Sequence, residues 1–251
     1  MNAAPVLSVR GLFKNFGALI VAQSIDVDLM AGARVGLIGP NGAGKTTFVN
    51  LLTGFLRPDA GTITLDGVSI ETMVADKRVH HGLARTHQIN TLLVEMTVRD
   101  NVAIAIAERE KFAWRMMRYK PQWRACLDEA QTRLAQIGIG PIGDRIVREL
   151  PYGQQRLLEI AIALALKPRV LLLDEPAAGV PSNETHLIHD VLARLPEDIA
   201  ILIIEHDMDV IFRFAHEIIV MVQGRVLRRG APAQIAADPE VRAVYLGRTV
   251  V

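Results

Sequence analysis

Eight consecutive residues, Gly39-Pro40-Asn41-Gly42-Ala43-Gly44-Lys45-Thr46, set glycines, a lysine and a hydroxyl in the order that a phosphate chain requires. Glycines let backbone N–H groups turn inward around a β-phosphate, Lys45 supplies a point charge, and Thr46 offers a hydroxyl to a magnesium ion. Thr47 is placed to reach an α-phosphate. A second constellation lies far along the chain, where Val170-Leu171-Leu172-Leu173-Asp174-Glu175 is an apolar run that ends in two carboxylates. Ligands gather at the carboxyl ends of strands in open α/β sheets. There Asp174 would hold Mg2+, through water, and Glu175 would orient or deprotonate an attacking water. Together the two stretches imply binding of ATP with Mg2+ and hydrolysis of its terminal phosphate.

Such residues need a strand, a loop and a helix to present them. Residues 34–39 form an apolar run into the glycines, and 45–52 continue with helical periodicity, so the loop sits at a helix N-terminus, whose positive dipole end favours anions. Residues 6–13 and 20–29 carry the alternation and β-branching of strands joined by a turn around Asn15 to Gly17. A short strand at 61–65 is closed by Asp66-Gly67, a hairpin dipeptide. From about 97 to 166 the pattern becomes helical, broken at Pro121, at 138–143 and at Pro151. Strands at 170–173 and 199–204, a helix at 183–195 between them, and a terminal hairpin of 218–222 with 225–228 follow. Alternating strands and helices imply a mostly parallel sheet covered on both faces. There is no internal repeat.

Composition narrows the classes. The 251 residues suffice for one large α/β domain, and 28 Lys and Arg against 27 Asp and Glu leave no global field to draw the chain onto nucleic acid. No nucleic-acid partner is expected. The single cysteine, Cys126, cannot form an internal disulfide and fits a reducing compartment. Half of the residues are hydrophobic, yet the longest apolar stretches, 160–166 and 199–204, fall far short of the roughly 20 residues that span a bilayer. Residues 1–10 lack a basic segment followed by an apolar one, so no secretory leader is expected. These features place the chain in the cytoplasm.

Leu150-Pro151-Tyr152-Gly153-Gln154-Gln155, followed by Arg156, adds the most specific pattern. With the phosphate loop and the Asp174-Glu175 strand, it resembles the signature of the ATP-binding-cassette (ABC) ATPases, and the resemblance runs from about residue 7 to 246. The resemblance implies an α/β fold with a P-loop NTPase (RecA-like) core, an N-terminal antiparallel β-subdomain and an inserted α-helical subdomain. It divides a single domain into 1–87 and 159–235 for the core, 88–158 for the helices, and 236–251 for a tail. It also implies roles: Gln88 as sensor of Mg2+ and lytic water, His206 as the switch histidine at the γ-phosphate, and Phe16 as the ring that stacks on adenine. Pro151, Tyr152, Gly153 and Gln154 would complete the nucleotide site of a partner subunit.

Two departures fall on elements that such proteins direct across a dimer interface. Pro151 stands where the signature usually has Ser, and Pro181 where the following loop usually has Asp or Asn. Either this chain pairs with a related ATPase whose intact signature completes the better site, or the backbone N–H groups of Tyr152 and Gly153 suffice in a homodimer. His87 likewise stands where an aromatic is usual before the loop glutamine.

Within the family, Tyr152 to Arg156, Asp174 to Gly179, Ile204-Glu205-His206-Asp207-Met208 and Val244-Tyr245-Leu246-Gly247 are similar to the branched-chain amino-acid uptake ATPases. That branch also serves urea, short amides and small carboxylates. The resemblance implies integral-membrane permease subunits as partners, a periplasmic solute-binding protein acting indirectly, and a peripheral place at the inner face of the plasma membrane. Lipid or lipopolysaccharide export is the alternative from the same mechanical class. A nucleic-acid or ribosome ATPase is the alternative from another, but it calls for a second cassette or a large insertion. Residues 108–124 hold both tryptophans, with six basic residues against two acidic ones. This stretch either meets headgroups or permease loops, or forms an ordinary amphipathic helix pair with a solvated basic face.

Overall fold

The structure is a computed structural model that describes residues 4–86, 92–111, 120–181 and 183–246. Gln88 and His87, residues 112–119 of the basic aromatic stretch and Gly247 lie outside the described residues.

Two sheets organise the chain. The first strands, β1 (Leu7–Phe16) and β2 (Leu19–Leu29), pair antiparallel, and β4 (Ala60–Leu65) joins the other edge of β1. The short β5 (Val68–Ser69) completes the order β2-β1-β4-β5. Asp66 and Gly67 between β4 and β5 both adopt positive φ, 47° and 77°, the geometry of the tight hairpin expected from that dipeptide.

The second sheet is central. Its order is β10-β9-β3-β8-β7-β6, with β3 (Arg34–Ile38), β6 (Leu83–Arg85), β7 (Val170–Asp174), β8 (Ala200–Ile204) and β9 (Glu217–Val222) parallel. Only β10 (Arg225–Gly230) runs against its neighbour β9. Every residue of β3, β7 and β8 is buried, as continuous apolar runs in a doubly covered parallel sheet must be. Alternate side chains serve two cores: Val170, Leu172, Leu202 and Ile204 pack with α1 (Lys45–Thr53) and the antiparallel sheet, while Leu171, Leu173, Ile201 and Ile203 pack with the helices.

The expected helical insertion holds α3 (Val98–Arg109), α4 (Lys120–Gln136) and α5 (Tyr152–Ala165). Thr97 and Asp100 cap α3 reciprocally, and Pro121 sits in the first turn of α4, where its missing N–H costs nothing. The division expected at 158/159 falls within α5. The helix expected at 183–195 is shorter: α6 covers Thr185–Ala193, because Glu184 N–H turns back onto the Pro181 carbonyl (2.8 Å). Short elements were not anticipated, namely α2 (Ala75–His80), β6, α7 (Met208–Phe214), α8 (Pro232–Ala237) and α9 (Pro239–Leu246). Among the described residues, no helix is long and apolar enough to cross a membrane.

Candidate nucleotide site

The glycine-rich loop joins β3 to α1, as its flanking patterns predict. At Gly39 a Cβ would overlap the Met221 carbonyl oxygen, and Gly44 reaches φ 97° against the Val21 carbonyl, so both positions require glycine. The Gly224 N–H donates to Ala43 O (2.9 Å), tying the loop to the β9–β10 turn. Lys45 is buried, and its Nζ donates to Gly39 O (2.6 Å) and Pro40 O (3.2 Å). Burial pushes the Lys45 ammonium below its ordinary pKa, while Glu175 and Asp174 pull it back up. Asn41, Gly42 and Thr46 are exposed, and Gly42 (φ 79°) faces open space.

Two acids and a histidine come from the strands alongside. Asp174 ends β7 at 3% exposure, and its Oδ2 accepts from Arg85 Nη2 at 2.5 Å. Arg85 Nη1 also donates to Asn50 Oδ1 on α1 (2.7 Å), and the Asp174 N–H donates to Thr86 Oγ1 (3.2 Å). Arg85, itself anchored to α1 through Asn50, thus holds the carboxylate. Glu175, the next residue, adopts φ 48°, a conformation that costs a non-glycine residue free energy and recurs where a side chain must be aimed. Its Oε1 lies 2.8 Å from His206 Nε2, and its N–H donates to Ile204 O (2.8 Å).

The loop residues Asn41 to Thr47, with Glu175 and His206, line one cavity of about 720 Å³, whereas the buried Asp174 does not line it. Its remaining wall is Leu19, Ile20, Val21, Gln23, Gln223 and Gly224, none of which carries a motif. Phe16 ends β1 beside that wall, 50% exposed, with Lys14 Nζ 5.5 Å from its ring centre, but it does not line the cavity itself. The exposed Leu19 and Ile20 supply apolar surface at the same edge. Sequence reasoning also missed Arg85, Asn50 and Thr86, whose roles depend on contacts between distant segments.

The signature stands apart. Pro151 precedes α5 as its cap without a side-chain bond to the helix, and Pro151 to Gln154 do not line the cavity. Tyr152 is 40% exposed, stacks under the Arg156 guanidinium (5.1 Å to the ring centre), and lies against Gly179. Gly153 is packed against the Glu184 carboxylate. Beneath them Arg156 and Glu159 form a buried ion pair at 2.8 Å.

The donor set fits a magnesium nucleotide. The Gly42 turn opens onto empty space, the Lys45 ammonium can exchange its two carbonyls for phosphate oxygens, and the exposed Thr46 hydroxyl and the Asp174 carboxylate are hard oxygen ligands suited to magnesium.

Comparison with known proteins agrees with the geometry. The sequence family described as ABC transporter matches residues 22–178, and that of the branched-chain amino acid ATP-binding cassette transporter matches 226–251. The chain is 39% identical over 250 residues to the high-affinity branched-chain amino acid transport ATP-binding protein LivG of Escherichia coli K12, covering 97% of this chain and 98% of that one. It is 36% identical, with the same coverage, to the corresponding protein BraF of Pseudomonas aeruginosa. Among solved structures, the ADP conformation of an ATP-binding cassette of an ABC transporter superposes with a TM-score of 0.84 at 29% identity, over 98% of this chain and all of that one.

Proposed function

The chain belongs to the ABC transporter family of ATP-binding cassettes, and from that premise we propose that it powers import of branched-chain amino acids, or a related small polar solute, through a membrane permease. The carrying observation is the single cavity that gathers the Lys45 loop, Glu175 and His206. Full-length likeness to amino-acid transport ATPases favours import over lipid export.

In this reading the amides of Gly42 to Thr46 and the Lys45 ammonium bind the phosphates, Phe16 with Leu19 and Ile20 covers the adenine, and Thr47 meets the α-phosphate. Thr46, Asp174 and Gln88 would hold Mg2+, which when bound neutralises charge on the phosphate oxygens. Glu175 takes or orients the proton of the attacking water. His206, already 2.8 Å from Glu175, holds that carboxylate and contacts the γ-phosphate. The core comprises 1–87 and 159–235, the helical part 88–158 and the tail 236–251.

A second copy or a related ATPase closes over the bound nucleotide, presenting its signature to it. Hydrolysis removes the γ-phosphate contacts and reopens the pair, and this cycle drives the permease from the inner membrane face. Pro151 and Pro181 suit a related partner with an intact signature, while the backbone N–H groups of Tyr152 and Gly153 would suffice in a homodimer. Purified chain that matches the turnover of a reconstituted mixed pair would refute the mixed pair. For the function itself, Glu175→Gln should trap a closed ATP-bound pair, read by light scattering. Near-normal turnover in that variant would mean that another group activates the water.

A further inference from the structure

One buried acid has no task in this mechanism. Glu205 is 4% exposed and sits between the end of β8 and His206. Its Oε1 accepts the Ala177 N–H at 2.8 Å, and its Oε2 accepts the His206 N–H at 3.2 Å. Ala177 belongs to the turn that begins at Glu175, closed by the Ala178 N–H to Glu175 O bond (3.0 Å). One carboxylate therefore fastens two loops from beneath, and the side chains those loops project, Glu175 and His206, meet 2.8 Å apart above it.

We propose that Glu205 is a positioning residue for ATP hydrolysis, holding the loops of Glu175 and His206 in the register that lets those side chains meet. The inference rests on the roles given above to Glu175 and His206. A carboxylate suits the task because each of its oxygens accepts, whereas an amide would turn an NH2 donor toward one of the two N–H groups. Burial pushes the Glu205 carboxyl above the ordinary range and the charge of Glu175 adds to this, while the N–H groups of Ala177, His206 and Asp207 pull it down. The fold accepts a buried acid at a place where an apolar residue would cost less, which points to the geometry it enforces.

The test compares the wild type with Glu205→Gln and Glu205→Asp. A clamp that sets only the reacting geometry predicts a kcat for Glu205→Gln lower by about 10–100-fold. The KM for ATP and the affinity for magnesium ADP should stay within about threefold, because the Lys45 loop is untouched. Nucleotide stoichiometry in the same preparations corrects for unfolded protein. Glu205→Asp keeps two acceptor oxygens on a shorter stem and should recover part of the turnover, giving the order wild type, Asp, Gln. If relief of a buried charge were all that mattered, Gln would exceed Asp. That order, an unchanged kcat, or a loss of nucleotide affinity in step with turnover would overturn the proposal. Glu175→Gln serves as control: full activity there condemns the assignment of Glu175, whereas its inactivation beside an unaffected Glu205→Gln condemns only the clamp.

Discussion

The loop at Lys45 and the turn at Pro151 both open a helix, and neither helix start has a side-chain cap, yet the two are built in opposite ways. At the first, the Lys45 ammonium is folded onto its own loop's carbonyls, and the Glu175 and His206 side chains face the same cavity. At the second, the partly exposed Tyr152 lies between Arg156 and Gly179, Gly153 meets the Glu184 carboxylate, and Pro151 adds no hydroxyl. One helix start shares a cavity with the Glu175 and His206 side chains, whereas among the described residues the other does not. The contrast is what a subunit needs if it holds its own nucleotide and lends its signature to a partner.

The sharpest way to break this contrast is through chemistry. Glu175→Gln removes the proposed base from the furnished site and should lower steady-state ATP turnover by about 10²–10⁴-fold with nucleotide still bound. A comparable loss of nucleotide binding to the unpaired chain on changing Tyr152 would erase the distinction.

Matched glycine substitutions probe the rigidity of the two turns. Gly39→Ala drives a methyl into the Met221 backbone carbonyl and should destabilise the chain by about 1–3 kcal/mol, while weakening nucleotide binding. Gly153→Ala displaces only the Glu184 side chain and should cost less than about 1 kcal/mol in a denaturant melt. Equal costs would show that the signature turn is as tightly framed as the phosphate loop.

A further effect, visible only through its pH dependence, concerns the helices behind the signature. Glu129 on α4 accepts from Arg109 of α3 and from Arg133, and lies 3.5 Å from Lys167 beyond α5. The Arg109 guanidinium foremost holds the Glu129 carboxyl down to about 2 from 4.5. A depressed carboxylate stabilises the fold above its unfolded pKa, so its contribution is full above about 4.5 and disappears as pH falls toward 2. Glu129→Gln should therefore cost about 1–2 kcal/mol at neutral pH, discounted for partial exposure. The gap from wild type should close between about pH 4.5 and 2 when thermal melts are compared. A gap independent of pH would assign the loss to packing.

What could be read from the sequence follows the same contrast. The phosphate loop and the Asp174-Glu175 strand end are contiguous, and their chemistry is fixed by residue order, so strand, loop and helix were expected where they occur. The parallel sheet was legible because β3, β7 and β8 are unbroken apolar runs between turn residues. Arg85 and Glu205 were not legible as site residues, since each acts on a group 89 or 28 positions away, and only folding brings these together. The three-residue β6 is too short to show a period, and it is held in place by pairing with β7. Leu19 and Ile20 carry no motif, and only folding reveals them, because β1 and β2 run on to a tight turn at Gly17 that carries these side chains to the cavity rim.

Titration of a fluorescent ATP analogue with magnesium onto the purified chain, and onto Lys45→Ala, tests the central claim most directly. Saturable binding to the wild type should weaken by about 30–1000-fold in the variant, as expected when the cation of a buried phosphate contact is removed. No association with the wild type, or equal affinity in both, would contradict a triphosphate seated in the turn between β3 and α1.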